Sequence, residues 1–171
     1  MKKINGFPPI ADKNAKILIL GSMPSEASLL EQEYYAHKRN AFWPMMRTIF
    51  NDGSADYNQR KKLLIGHDIA VWDVLKQCYR QGSLDSAINM DSIESNDFQS
   101  FFRAHKQVKK VIFNGAKAES IYLKFILPQI ESQFAYLQYK RLPSTSPAHA
   151  AMTVDQKIAI WKKELKDDCV L

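Results

Sequence analysis

The sequence predicts an α/β protein with three layers, in which a central, mostly parallel four-stranded sheet lies between helices. Two observations support this prediction. Short continuous apolar runs, typical of strands buried on both faces, recur along the chain. Between them lie segments whose apolar residues are spaced as on one face of a helix. Strands that alternate with helices favour right-handed crossovers, and hence a parallel sheet with helices on both faces.

Four apolar runs indicate the strands. They comprise residues 16–21, 68–72, 108–115 and, as the weakest of the four, 134–139. In parallel sheets of this kind, ligands bind beyond the carboxyl ends of the strands. The predicted places for chemistry are therefore the loops that follow Gly21, Trp72, Gly115 and Leu142.

Four helical patterns lie between and after these strands. The first ends at Leu63, Leu64 and Gly66, and Asp56 before it has a side chain suited to an N-cap. The other three repeat apolar residues at helical spacing: Phe98, Phe101, Phe102 and His105 after Ser95; Ala118, Ile121, Tyr122 and Phe125 after Gly115; Val154, Ile158, Trp161 and Leu165 after Thr153.

The composition limits what the chain can be. Its 171 residues, 46% of them hydrophobic, predict a single domain over residues 1–171 with an ordinary apolar core. Cys78 and Cys169 are too few for a disulfide framework or a four-thiolate metal site. The net charge of +6 favours an anionic partner.

The sequence also bears on location. No run approaches the ~18 consecutive apolar residues of a membrane helix. The first residues are charged but lack the apolar stretch of a signal peptide. We therefore expect a cytoplasmic protein with reduced thiols and no membrane contact.

The first predicted strand ends in Gly21-Ser22-Met23-Pro24-Ser25. Glycine lets the backbone approach a ligand closely, and Ser25 is placed to cap a short helix that follows. The backbone N–H groups of Ser22 and Met23 are then available to a ligand. The same residues also fit a strand-to-helix turn without any ligand, and they match neither a P-loop nor a dinucleotide fingerprint.

The segment 34–44 mixes aromatic and basic residues in a way that is unusual for a core. Lys38 and Arg39 stand among four aromatic side chains, and Asn40 lies just before a helix that Pro44 favours in its first turn. Rings that stack on bases and cations that bind phosphates suit a nucleic-acid partner. The alternative is that Phe42 and Trp43 belong to the core.

Polar residues also follow the third and fourth predicted strands. Asn114 at the end of the third either caps the next helix or presents one donor and one acceptor to a planar ligand. After the fourth comes Leu142-Pro143-Ser144-Thr145-Ser146-Pro147-Ala148-His149, a stiff loop with three hydroxyl groups that suit phosphate oxygens. A loop without a ligand is the alternative there.

Together these strand ends resemble the uracil-DNA glycosylase superfamily, and most closely its hypoxanthine-DNA (deoxyinosine) glycosylase family. Five segments carry the resemblance in order: Gly21-Ser22-Met23-Pro24-Ser25 with Ser28-Leu29; Tyr34-Tyr35-Ala36-His37 with Arg39-Asn40-Ala41-Phe42-Trp43; Trp72-Asp73-Val74-Leu75 with Gly82-Ser83-Leu84-Asp85; Asn114-Gly115; and Leu142-Pro143-Ser144-Thr145-Ser146-Pro147-Ala148. The resemblance covers most of the chain. It implies a uracil-DNA glycosylase-like fold and a monofunctional enzyme that flips out a deaminated base and hydrolyses its N-glycosidic bond.

Two positions depart from the wider superfamily. Met23 stands where many relatives carry Asp or Asn to position the attacking water, and Leu142 stands where many carry His. The hypoxanthine-DNA glycosylase family shares both departures, and its pattern offers Asn40 as the catalytic residue instead.

The resemblance implies roles for the other residues. Ser22, Met23, Tyr35, Phe42 and Asn114 would contact the flipped base. The DNA backbone would be held by Lys38, Arg39, Ser144, Thr145 and Ser146. The expected partner is DNA that contains deaminated bases, with no cofactor and no metal, and the expected state is a monomer.

Two other functions fit the same residues. A hydrolase or transferase that acts on free mononucleotides would also use Gly21 and the serine-rich loop. A module that binds damaged bases without cleaving them would be consistent with Met23 and Leu142.

Overall fold

The computed structural model describes residues 1–166, so Cys169 lies outside the described residues. Within these residues the chain forms seven strands: β1 Lys2–Asn5, β2 Ile17–Gly21, β3 Ile69–Asp73, β4 Leu75–Arg80, β5 Ile88–Ser95, β6 Lys110–Asn114 and β7 Gln138–Leu142. The α-helices are α1 Glu26–Glu31, α2 Phe42–Phe50, α3 Tyr57–Gly66, α4 Phe98–Ala104, α5 Ala116–Ile121, α6 Leu127–Ile130 and α7 Val154–Lys166. A 3₁₀ turn spans Asp85–Ala87, and a π-helical turn, Tyr122–Ile126, joins α5 to α6.

The main sheet has four strands in the order β3-β2-β6-β7, and every neighbouring pair is parallel. Every residue of β2 and β3 is buried, as expected of central strands covered on both faces. The predicted three-layer α/β/α fold with a four-stranded parallel sheet is confirmed. Parallel pairing brings the carboxyl ends of all four strands to one edge of the sheet.

The fourth strand lies further along the chain than predicted. The prediction was 134–139, whereas β7 comprises Gln138–Leu142. Phe134 and Leu137 are buried, but they pack in the turns that lead into the strand. As an edge strand, β7 pairs with β6 alone and leaves Lys140 exposed, so its sequence lacks an apolar run.

A second sheet was not predicted. It is antiparallel, with three strands in the order β1-β4-β5. A single residue, Val74, separates the end of β3 from the start of β4. The strands of this sheet mix a few buried residues with exposed and half-buried ones, and Cys78 is buried in β4. Short, half-polar strands of this kind give no continuous apolar run.

Side-chain caps start several helices where the sequence predicts them. Asp56 accepts a hydrogen bond from the Gln59 N–H at 2.8 Å, and Ser25 accepts one from the Ser28 N–H at 3.1 Å. The cap of α4, however, is Asp97 rather than the predicted Ser95, because β5 extends through Ser95.

Helix α7 holds the loop that follows β7. Trp161 is fully buried, and its indole N–H donates to the Pro143 carbonyl at 2.9 Å. Lys157 is also buried and donates to the His149 carbonyl at 2.8 Å, while Val154, predicted to lie on the apolar face, is 47% exposed. The helix therefore fixes both ends of the segment 143–149. Among residues 1–166, no helix is long and apolar enough to cross a membrane.

We expect Trp161→Phe to lower the free energy of unfolding by about 1–2 kcal/mol, since the variant keeps an aromatic ring but loses a buried hydrogen bond. Urea denaturation followed by circular dichroism measures the change. Val154→Ala on the exposed side of the same helix is the control and should have little effect. Equal stability of Trp161→Phe and the wild type would contradict the role of this hydrogen bond.

Candidate active site

A cavity of about 360 Å³ opens at the carboxyl edge of the parallel sheet. Each of the four strands of that sheet, or the loop after it, contributes to its walls. The lining comes from residues 21–25, Ser28, Tyr34, Tyr35, Asn40, Asp73, 83–86, Asn114, 144–146, Ala148 and His149. Most of the predicted site residues are thus brought together here.

The loop after β2 forms one wall. The carbonyls of Gly21 and Ser22 accept hydrogen bonds from the N–H groups of Val74 and Leu75, at 2.8 and 3.2 Å. Because a trans peptide directs its N–H opposite to its carbonyl, the N–H groups of Ser22 and Met23 point away from those residues. Both residues are mostly buried, with 8% of their surface exposed.

Asp73, at the end of β3, is an acidic residue of the cavity to which the sequence analysis assigned no role. It is 4% exposed, and its Oδ2 atom has no hydrogen-bond partner among the described residues. Its Oδ1 atom lies over Gly21, where the Cβ of any larger residue would be only 2.6 Å away. The bare glycine backbone is therefore what leaves room for this carboxyl group.

Burial raises the pKa of Asp73 to about 7, and the negative charge of Asp85 adds to the effect, while Arg80 opposes it. Asp85 accepts a hydrogen bond from the Ser22 hydroxyl. In the sequence, only its position at the end of a buried strand pointed to Asp73 as a site residue. Its protonation state depends on burial, which only the fold reveals.

Tyr35 and Phe42 were both predicted as residues that contact the base, and the structure gives them different positions. Tyr35 lines the cavity, adopts a left-handed backbone conformation with φ of 55°, and stacks on Phe42 with ring centroids 4.1 Å apart. Phe42 is fully buried behind it and also packs against Trp161. Tyr35 therefore lines the cavity and Phe42 does not, as the alternative of a core position for Phe42 had it.

The hydroxyl of Tyr35 is buried and makes no hydrogen bond among the described residues. Burial and the nearby Asp73 raise its pKa well above the usual range, although the Asn114 amide acts in the opposite direction. The hydroxyl therefore stays protonated and keeps a proton to donate.

Asn40 lies on the cavity wall, one residue before the N-cap of α2. Its Oδ1 atom accepts a hydrogen bond from the Phe42 N–H at 3.0 Å, which fixes the orientation of the amide. One lone pair on Oδ1 and the amide N–H groups remain for other partners.

Asn114 and Thr145 are joined by two hydrogen bonds. The Thr145 N–H donates to Asn114 Oδ1, and the Asn114 amide donates to Thr145 Oγ1, both at 2.9 Å. Since a backbone N–H can only donate, the amide of Asn114 is held one way round. Thr145 lines the cavity but is 1% exposed, and its hydroxyl joins β6 to the loop after β7.

The other predicted phosphate contacts lie at the rim. Ser144 and Ser146 line the cavity and are half-buried, while Lys38 and Arg39 are exposed next to Asn40. His149 also lines the cavity, and its Nε2 atom is buried without a partner in the described part of the chain. Within residues 1–166, no three His, Cys, Asp or Glu side chains lie together as a metal site.

The raised pKa of Asp73 makes a prediction about stability. Between about pH 4 and 7 the folded chain binds more protons at this group than the unfolded chain does, so its contribution to the free energy of unfolding falls as pH rises. Asp73→Asn removes this titration. We therefore expect the stability of the variant, measured by urea denaturation, to increase relative to that of the wild type as the pH rises from about 5 to 8. The exposed Asp91→Asn is the control, and a constant difference for Asp73→Asn would contradict the assignment.

The paired hydrogen bonds predict the effect of Thr145→Val. This variant keeps the shape of the side chain but leaves the amide N–H of Asn114 without its acceptor, at a cost of about 1–3 kcal/mol in unfolding free energy. Thr145→Ser, which keeps the hydroxyl group, is the control and should lose less. Denaturation curves for the three proteins measure this, and equal losses in both variants would refute the role of the hydroxyl.

Comparison with known proteins identifies relatives across most of the chain. Residues 8–166 match the family model of the uracil DNA glycosylase superfamily. Over 120 residues the chain is 38% identical to the hypoxanthine DNA glycosylase of Methanosarcina barkeri, covering 69% of this chain and 74% of that protein. It is also 38% identical over 115 residues to the hypoxanthine DNA glycosylase of Methanosarcina acetivorans, covering 66% of this chain and 72% of that one.

A solved structure agrees with these matches. The solution NMR structure of a candidate uracil DNA glycosylase from Methanosarcina acetivorans resembles this fold with a TM-score of 0.80 and 30% identity, covering 97% of this chain and 98% of that one. The chain therefore belongs to the uracil DNA glycosylase superfamily, in the family of the hypoxanthine DNA glycosylases, which confirms the predicted enzyme class, a DNA glycosylase.

Proposed function

We propose that this DNA glycosylase flips hypoxanthine out of DNA and hydrolyses its N-glycosidic bond, leaving an abasic site. The observation that carries the proposal is the cavity in which Asn40 and the wall from Gly21 to Ser25 face one space. Its volume of about 360 Å³ suits a small planar ligand such as one base. The relatives named hypoxanthine DNA glycosylase support the choice of base.

A base inside a duplex is out of reach of such a cavity, so it must first leave the stack. In the cavity, Tyr35 would stack on the flipped base, since its ring lies on Phe42 and is held in place. Lys38 and Arg39 are exposed beside Asn40, where they would hold phosphates on either side of the flipped nucleotide. Ser144 and Ser146 would do the same from the neighbouring loop, since the Ala41 N–H donates to the Thr145 carbonyl at 3.0 Å.

Cleavage would pass through a sugar with oxocarbenium character, as in glycoside hydrolysis. Asn40 would orient the attacking water through the free lone pair of Oδ1, because its amide is fixed by the Phe42 N–H. The N–H groups of Ser22 and Met23 would stabilise the negative charge that develops on the departing base.

Asn114 would recognise the edge of the base. Hypoxanthine presents N1–H as a donor and O6 as an acceptor, and adenine presents the reverse pair. Thr145 takes up one N–H and one Oδ1 lone pair of the Asn114 amide, so the second Oδ1 lone pair would accept N1–H of hypoxanthine, whereas N1 of adenine is itself an acceptor. Such a buried polar mismatch can discriminate by about 10⁴-fold. Uracil offers the same pattern as hypoxanthine, so Asn114 does not separate these two.

The direct test uses labelled duplexes that hold deoxyinosine, deoxyuridine or deoxyxanthosine at one position. After incubation with the protein, alkali breaks the strand wherever a base has been released. We expect strand breaks at deoxyinosine, and their absence from all three duplexes would refute the proposal.

Asn40→Ala should reduce the single-turnover rate of base release at least ~100-fold, because the water loses its orienting group. Affinity for the deoxyinosine duplex should stay close to that of the wild type in a fluorescence-anisotropy assay. Asn58→Ala on the exposed face of α3 is the matched control and should remain fully active. Full activity of Asn40→Ala would refute this role.

DNA affinity should fall steeply with salt, by a slope of about 0.9 for each phosphate contact. The double variant Lys38→Ala/Arg39→Ala should therefore lower the slope of log affinity against log salt by nearly 2 (about 0.9 for each of two contacts). Lys13→Ala/Lys106→Ala removes two exposed lysines that precede β2 and β6, at the opposite edge of the sheet, and is the control. The same slope in both double variants would contradict the placement of the DNA.

A further inference from the structure

Two buried side-chain oxygen atoms without partners belong to residues that line the cavity. They are Oδ2 of Asp73 and the hydroxyl of Tyr35, and neither makes a hydrogen bond among residues 1–166. Both side chains lie over Gly21: a Cβ added to this glycine would be 2.6 Å from Asp73 Oδ1 and 3.3 Å from the Tyr35 hydroxyl. A buried negative charge without a partner is costly, which favours the neutral form of the Asp73 carboxyl group.

The deamination of a base replaces an exocyclic amine with a carbonyl oxygen. Adenine becomes hypoxanthine, cytosine becomes uracil, and guanine becomes xanthine. In each case a hydrogen-bond donor becomes an acceptor at the same position. A site that recognises this change needs a donor where the new oxygen lies.

We propose that Asp73, in its neutral carboxylic-acid form, donates a hydrogen bond to the exocyclic oxygen that deamination creates in the flipped base. This inference rests on the proposed function and assigns to Asp73 the recognition of the chemical change itself. The donating oxygen would be Oδ1, which lies beside Gly21 on the cavity wall, because Oδ2 is closed off from solvent.

The surroundings of Asp73 favour its neutral form. Asp85, which also lines the cavity and is bound to the Ser22 hydroxyl, repels a negative charge there. Arg80 favours the charge, but its Nε and Nη2 atoms donate to the carbonyls of Gly82 and Pro24 instead. The other titratable groups that line the cavity are Tyr34, Tyr35 and His149.

A carboxyl group gives this recognition a pH dependence that an amide would lack. Burial and Asp85 raise the pKa of Asp73 to about 7, so the group donates below that pH and can only accept above it. A carboxylate repels the oxygen of hypoxanthine and attracts the amine of adenine. Release of hypoxanthine should therefore decline as the pH rises through about 7, and preference over adenine should decline with it.

The test is the single-turnover rate of excision from a deoxyinosine duplex between about pH 5.5 and 8.5, for the wild type and Asp73→Asn. The asparagine keeps a donor at every pH. We expect the wild-type rate to fall above pH 7 and the variant rate to stay level across that range. Asp73→Ala should be at least about tenfold slower at low pH, since it lacks the donor.

Asp85→Asn provides a second test that leaves Asp73 in place. It keeps an acceptor for the Ser22 hydroxyl but removes the charge that raises the pKa of Asp73. The falling limb of the wild-type profile should therefore shift to lower pH. This variant also answers the question if Asp73→Asn fails to fold.

The outcomes separate the two proposals. No excision of any base by the wild type would overturn the proposed function and this inference with it. Excision by the wild type with the same falling limb in Asp73→Asn, or with no fall near pH 7, would overturn the role of Asp73 and leave the proposed function standing. An unshifted limb in Asp85→Asn would do the same.

Discussion

The pairing of β2 with β3 is the constraint on which the candidate active site depends. Its register sets Gly21 opposite Asp73, so the carboxyl group lies against a residue without a side chain. Both strands are buried along their whole length, and burial of both faces resists a slip of the register. The backbone thus holds the Asp73 carboxyl group in a buried position, and burial is the larger cause of its raised pKa.

The sequence was sufficient to predict the parts of the fold that are buried on both sides. Branched apolar runs marked β2, β3 and β6, because such runs are what a covered parallel strand requires. The edge strand β7 and the antiparallel sheet gave no such signal, since exposed residues interrupt them. Their positions depend on neighbours distant in sequence, such as the pairing of β1 with β4.

For the site, the sequence predicted which residues are near the cavity better than it predicted their partners. Tyr35 and Phe42 are both aromatic and close in sequence, and only tertiary packing decides that one covers the other. Thr145 and Asn114 are 31 residues apart, so their paired hydrogen bonds leave no local pattern. The raised pKa of Asp73 comes mainly from desolvation, which a sequence motif does not show.

The proposed roles of Asn40 and Asp73 fit together chemically. An amide cannot take up a proton, so Asn40 can orient water but cannot act as a strong base. With such a role for Asn40, bond breaking would run ahead of water attack, and the departing base would carry negative charge before it is protonated. A hydrogen bond from neutral Asp73 to the exocyclic oxygen strengthens as that charge develops, because charged acceptors bind protons more strongly. The contact that would recognise deamination would therefore also stabilise the leaving group, in a site that has Met23 and Leu142 where many members of the superfamily carry polar residues.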